Sequence, residues 1–223
     1  MQASEKPRIL GRFILLSSLG VLGAVSFVPS IIASTDPHPP VAQLSLFVVA
    51  VSVVCIVSSW FGLRFADATH LPLPYLRRLD LHSEPEGRNG ILPASAFGCL
   101  FAVSAIFVLH YFHQLNLAGP LWSRIASVFF AAGSLEIVVH LLIMSMVIRL
   151  VRGRIWVGIL VAAFFFVAFH VMGVAGQSAA LVAASVLLNG VFGLGLGLLY
   201  ARYGFESVLL CHAVGHILAV TLA

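Results

Sequence analysis

The sequence predicts an all-α fold, a polytopic membrane bundle of about seven transmembrane helices. Hydrophobic residues make up 61% of the 223 residues and charged residues only 9%, whereas a soluble domain carries about 25% charged residues. Apolar stretches of about 20 residues, the length that crosses a bilayer, recur along the chain. These patterns exclude an ordinary soluble domain. The net charge of +4 indicates loops beside anionic lipid and does not imply nucleic-acid binding.

The first apolar stretch follows basic residues, as the core of a signal peptide does. No convincing cleavage site comes after it, so we expect a retained first helix. In the sixth stretch, Gly193 and Gly197 share one helical face and predict close helix packing rather than nucleotide binding. The predicted spans, in chain order, are 10–33, 41–63, 94–113, 121–148, 155–172, 179–201 and 205–223.

The longest predicted loop covers residues 64–93. It is charged and rich in proline, so we expect an interfacial segment, with a short amphipathic helix around the sequence YLRRLDLH. A substrate gate is the alternative. The three cysteines, Cys55, Cys99 and Cys211, fall inside spans without metal or disulfide spacing, and we expect them to be buried apolar side chains.

Basic residues give the predicted orientation. Eleven of the twelve Lys and Arg residues fall on one side of the alternating spans, and only Arg124 lies near the other side. By the positive-inside rule, the N-terminus is then cytoplasmic and the C-terminus external. The eleven are Lys6, Arg8, Arg12, Arg64, Arg77, Arg78, Arg88, Arg149, Arg152, Arg154 and Arg202.

Ionisable side chains interrupt the apolar stretches of the C-terminal half. Such groups are costly at bilayer depth, so they normally have partners and face a polar cavity. Two pairs are spaced four residues apart, and each pair therefore projects from one helical face. We interpret the whole set as one functional site: Glu136, His140, His170, His212 and His216.

Two motifs in this half resemble the signature of a known family. Phe166 precedes His170 by four residues in FVAFH, and VFGLGLGLLYARYGFESVLLCHAVGH joins a glycine-rich helix, a basic turn and a histidine pair. The chain thus resembles the CPBP intramembrane proteases, which include CAAX prenyl endopeptidases and bacteriocin-processing proteins. Their signature has EExxxR in one helix, FxxxH in the next and a late HxxxN or HxxxD. The resemblance covers about residues 95–223 and suggests two regions: 1–93, two helices with a cytoplasmic loop, and 94–223, a CPBP-like protease core.

The chain departs from that signature in two places. In the register that we prefer, Glu136 takes the place of the first glutamate, Ile137 that of the second and Leu141 that of the arginine. Sliding the alignment by one residue instead places Glu136 at the second acid and His140 at the arginine. In the last motif His216 stands where the family has Asn or Asp. These departures leave open a catalytically inactive protein of the same fold that binds a membrane partner.

The resemblance implies an intramembrane endopeptidase that cleaves membrane-associated peptides or proteins. Peptide hydrolysis needs an activated water, a base and donors for the developing oxyanion. We expect Glu136 to act as the base, His170 to share its water, and His212 and His216 to donate to the oxyanion. His140 completes the candidate catalytic set.

A metal-dependent version would use zinc or another divalent metal held by His140, His170, His212 and His216. Four protein ligands would close such a site to water, and we favour the version without a cofactor. Counting 1.5 Å per residue sets the candidate side chains at depths that differ by on the order of 10 Å, which helix tilt could absorb. A haem-binding protein and a proton-coupled transporter are the remaining alternatives.

Overall fold

The computed structural model describes residues 6–34, 39–73, 76, 89–112, 120–172, 174 and 176–222. Seven helices in these ranges are long and apolar enough to cross a membrane, and the described residues form no strand. The predicted fold class is therefore confirmed. The helices are α1 (Lys6–Ser34), α2 (Val41–Ala68), α3 (Ile91–Tyr111), α4 (Leu121–Leu150), α5 (Ile155–Met172), α6 (Ala179–Tyr203) and α7 (Phe205–Leu222).

The loop predicted at 64–93 was too long at both ends, because α2 continues to Ala68 and α3 already begins at Ile91. The prediction assigned the polar residues at the end of α2 to the loop, but in the structure they are helical and contact side chains of α1 and α2. The Arg64 guanidinium lies 4.3 Å from the centre of the Trp60 ring, and Asp67 accepts an ion-pair contact from Arg12 at 3.2 Å. The amphipathic helix predicted around YLRRLDLH lies outside the described residues, apart from Leu76.

Helix α4 occupies the centre of the bundle. In an 18-residue stretch of α4, 61% of the residues are buried, compared with 11–33% in the other spans. Its backbone is π-helical over Phe130–Leu135 and again over Ile137–Met144, with Glu136 between the two segments. Such wide turns are rare and are found frequently at functional sites. Helices α1, α2, α5 and α7 all pack against α4.

Small residues allow the outer helices to approach one another. The close helix packing predicted at Gly193 and Gly197 is confirmed, and the neighbour is α5. A Cβ on Gly193 would lie 3.1 Å from Ala163 Cα, and one on Gly197 would lie 2.9 Å from Ile159 Cγ2. Gly98 of α3 approaches the backbone oxygen of Cys211 on α7 in the same way. The close pairs α5–α6 and α3–α7 follow from these contacts.

The prediction that all three cysteines are buried is wrong for Cys99. Cys55 and Cys211 lie in the core, whereas Cys99 lies on the exposed face of α3. A helix that faces lipid is apolar all round, so composition does not distinguish its outer face from its inner one.

The basic side of the bundle is the end that carries the described residues Arg64, Arg149, Arg152, Arg154 and Arg202. The chain after α2 folds into this end: Leu71, Leu73 and Leu76 are at most 4% exposed. Two hydrogen bonds hold the segment to the start of α7, one from Phe205 N to Pro72 O at 3.4 Å and one from Leu76 N to Glu206 Oε1 at 2.6 Å. We refer to residues 71–73 with Leu76 as the basic-side plug.

Candidate functional site

Glu136 is the centre of the candidate site. It lies between the two π-helical segments of α4, and its side chain is fully buried. His140 Nδ1 donates to Glu136 Oε2, and His212 Nδ1, from α7, donates to Glu136 Oε1. Each carboxylate oxygen thus has one imidazole partner, which meets the requirement that a buried charge be paired and hydrogen-bonded.

These bonds assign the tautomers of the two histidines. An ionised carboxylate only accepts hydrogen bonds, so His140 and His212 carry their protons on Nδ1. When such a ring is neutral, its Nε2 bears the lone pair. Both Nε2 atoms are buried and have no hydrogen-bond partner among the described residues. The site therefore holds unused nitrogen ligands.

His170 is also oriented by a bond at Nδ1. Its Nδ1 lies 2.8 Å from the backbone oxygen of Phe166, and because a carbonyl oxygen only accepts, Nδ1 is the donor. The Phe166 ring stacks on the imidazole with 4.2 Å between ring centres. The two residues of the FxxxH motif thus act as a unit in which Phe166 fixes the orientation of the histidine.

Three imidazoles converge beside Glu136. The rings of His212 and His216 are 4.5 Å apart between centres, and His170 lies 6.1 Å from His212 and 6.4 Å from His216. One nitrogen from each ring lies within 4.8 Å of the others, a spacing that suits a shared metal ion. We call His170, His212 and His216 the histidine triad. His216 Nε2 is also buried without a partner in the described part of the chain.

The structure therefore brings all five predicted side chains into one connected site, and the expected depth offset does not divide it. His140 stands apart from the triad, on the other side of the Glu136 carboxylate. Of the four histidines in the predicted ligand set, His170, His212 and His216 form the group with metal-ligand spacing among the described residues, and His140 is not part of it. Leu141 takes the place of the family arginine in the preferred alignment, and His140 takes it in the alternative. In the structure His140 contacts Glu136, whereas Leu141 lies in the hydrophobic core.

An apolar cavity of about 620 Å³ adjoins the triad. His170 and His216 form part of its wall, together with Cys55 and Ser134, whereas Glu136, His140 and His212 lie behind that wall. Apart from Ser127, the rest of the lining is apolar, and it comes from α1, α2, α4 and α5. Sequence reasoning missed this contribution of α1 and α2, because their cavity residues are aliphatic and aromatic side chains like those that face lipid.

No model of a protein family, no curated protein and no solved structure matches this chain.

Proposed function

We propose that this chain is an intramembrane peptide hydrolase whose histidine triad holds a divalent metal ion. The observation that carries the proposal is the set of converging imidazoles, two of which donate from Nδ1 and so present the Nε2 lone pair when the ring is neutral. Three histidines leave an open position on a tetrahedral metal, as catalytic zinc sites do. The two motifs that resemble the CPBP proteases, at Phe166–His170 and around the final histidine pair, support peptides as the substrate class.

The role proposed for Glu136 is positioning. A carboxylate behind a ligand histidine fixes its tautomer and orientation and makes the ring a stronger ligand. Glu136 stands in this relation to His212. Since both of its oxygens already accept a hydrogen bond and it lies behind the cavity wall, the geometry favours this role over direct contact with a reacting water.

The reaction in this proposal is hydrolysis of an amide. A divalent metal, when bound, polarises a water and lowers its pKa to about 7. Water oxygen adds to the carbonyl carbon, the C–N bond breaks, and the proton passes to the leaving amine. His170 and His216 line the cavity and, as ligands, would hold the metal at its edge, while the wall of aliphatic and aromatic side chains keeps bulk water away from the reacting groups.

A metal-free version is the second candidate, and the Glu136–His212 bond favours it. A carboxylate on Nδ1 prepares the opposite nitrogen as a general base, as in hydrolytic triads. His212 Nε2 would then take the proton of a water that lies between the triad rings, since one nitrogen of His212 is within 4.8 Å of nitrogens of the wall residues His170 and His216. The metal content of the purified protein separates the two versions, because the first needs about one equivalent per chain and the second none.

The proposal is tested by comparing membrane peptides in cells that carry the wild-type protein, His170→Ala, His212→Ala or His110→Ala. His110 is an exposed histidine of α3 outside the site, so its replacement controls for the loss of a ring. We expect peptide fragments that disappear in the two site variants and persist in the control. Unchanged fragments in all three variants would instead support a catalytically inactive, partner-binding protein.

For orientation, we propose that the basic side faces the cytoplasm, which puts the N-terminus inside and the C-terminus outside. The arginines of the loop at 151–154 support this assignment. Labelling of single cysteines introduced at Arg152 and at Gln177, in intact cells with a membrane-impermeant maleimide, tests it. Labelling at position 152 without labelling at position 177 would show that the basic side faces outward and would refute the proposed orientation.

A further inference from the structure

The cavity beside the triad opens away from the basic side. Its wall includes Ser127, near the start of α4, and Met172, the last residue of α5. Both helix ends lie on the side opposite the basic loops. At the rim, Val54, Phe169 and Met172 are 49%, 41% and 64% exposed. Helices α2 and α5 have little direct contact with each other across the described residues, so the rim faces the bilayer between them.

The other end of the bundle is closed. Between Glu136 and the basic side lie Met144, Ile148 and Tyr200, each at most 1% exposed, and the Tyr200 hydroxyl is 3.0 Å from the Ser145 hydroxyl. The basic-side plug covers this layer and is hydrogen-bonded to the start of α7. A substrate that reaches the triad from the basic side would have to displace packed core.

The lining of the cavity indicates what it binds. Its described lining residues carry no Asp, Glu, Lys or Arg, so a charged group entering it would lose its hydration without gaining a partner. Its inner end is different, because His170, His216 and Ser134 bring polar atoms there, and His216 Nε2 has no described partner. A hydrocarbon tail would leave the polar atoms at the inner end without hydrogen-bond partners, whereas a peptide backbone supplies a carbonyl oxygen and an N–H.

We propose that this cavity is the substrate groove, and that its occupant is an uncharged, apolar stretch of a membrane-embedded polypeptide. The segment enters from the lipid between α2 and α5, in the half of the membrane away from the basic side, with its backbone carbonyl directed at the triad. This proposal rests on the proposed function for the cleavage step. Binding of the segment can be tested separately.

Neighbouring valines on α2 provide a matched pair of variants. Val54 lines the cavity and is 49% exposed, whereas Val53 is 52% exposed and does not line it. The probe is a synthetic transmembrane peptide of Leu and Ala with one central photoreactive diazirine, reconstituted with the purified protein in liposomes. We expect cross-links at Phe130 and Phe169, reduced at least about tenfold in Val54→Trp and less than about twofold in Val53→Trp.

Further variants keep the test decisive. Ala50→Trp changes a second cavity position that is exposed, so it guards against a folding defect specific to Val54→Trp. A probe with a lysine next to the diazirine should cross-link about tenfold less, because the groove offers the ammonium no partner. Equal cross-linking in Val54→Trp and Val53→Trp, or label concentrated on the exposed face of α3 at Val103 and Phe107, would overturn the proposal.

Cleavage is read in the same samples. Cross-links in the groove without any cleavage by the wild-type protein would uphold the groove and refute the hydrolase. Cleavage that His212→Ala abolishes but Val54→Trp and Ala50→Trp leave unchanged would uphold the hydrolase and refute the groove.

Discussion

Replacing Glu136 with glutamine should weaken metal binding about tenfold, at the lower end of the roughly 10–100-fold range for losing a group behind a metal ligand. Glu136 accepts one hydrogen bond from His140 and one from His212. The glutamine side chain keeps a single oxygen, and its amide group would face the other imidazole N–H. His140 can resolve this conflict by moving its proton to Nε2, which has no described partner to lose. The oxygen can then stay on His212, and only the negative charge behind that ligand is lost.

Glu136→Ala removes both acceptors, so its affinity should fall towards the hundredfold end, or about 2.7 kcal/mol. The assay is a competition titration of zinc against a chromophoric chelator, with the protein in nanodiscs. Glu206→Gln is the matched control, because it makes the same change at the start of α7, where the carboxylate accepts from Leu76 N. Affinity for zinc in Glu136→Gln equal to that in the wild type and in Glu206→Gln would refute the positioning role.

Three further predictions follow from the same contacts. His140→Ala should leave about one zinc per chain, whereas His170→Ala should lower the stoichiometry seen by elemental analysis, since only His170 belongs to the triad. His216→Asn introduces the residue type of the CPBP motif but removes one imidazole, so zinc affinity should fall at least about tenfold. Cleavage that persists in the zinc-free variant would establish the metal-free version. Gly98→Ala should lower the free energy of unfolding by about 1–3 kcal/mol, because its Cβ would lie 2.6 Å from Cys211 O. Gly190→Ala should not, because the nearest contact of its Cβ is at 3.8 Å. Thermal unfolding in detergent measures both variants, and equal midpoints would contradict the packing argument.

The sequence alone was sufficient to predict the membrane spans and to identify the polar side chains of the site. Hydropathy marks a span because length and composition alone decide whether a helix can cross a bilayer. Glu136 and the four histidines could be found because ionisable groups are rare in such stretches. Their partners were harder to predict, since the His212–Glu136 bond joins residues 76 positions apart and depends on how α7 packs against α4.

The sequence did not predict which face of each helix is buried and which is exposed. Cys99 and Cys55 both lie in apolar stretches, yet one is exposed and the other lines the cavity. The π-helical turns around Glu136 likewise left no sequence signal that we recognised. They matter for the site because they form the part of α4 that carries both Glu136 and His140.

The bonds of Glu136 also explain how a carboxylate can remain in this part of the bundle. A lone buried acid would be costly, but each of its oxygens accepts a hydrogen bond from an imidazole. The cost of burial is thereby offset by two groups, of which only His212 belongs to the triad. His140 then has a distinct task, which is to satisfy the second oxygen. In that arrangement the carboxylate does not need the neighbouring acid and arginine of the CPBP signature, because the two histidines already supply its partners.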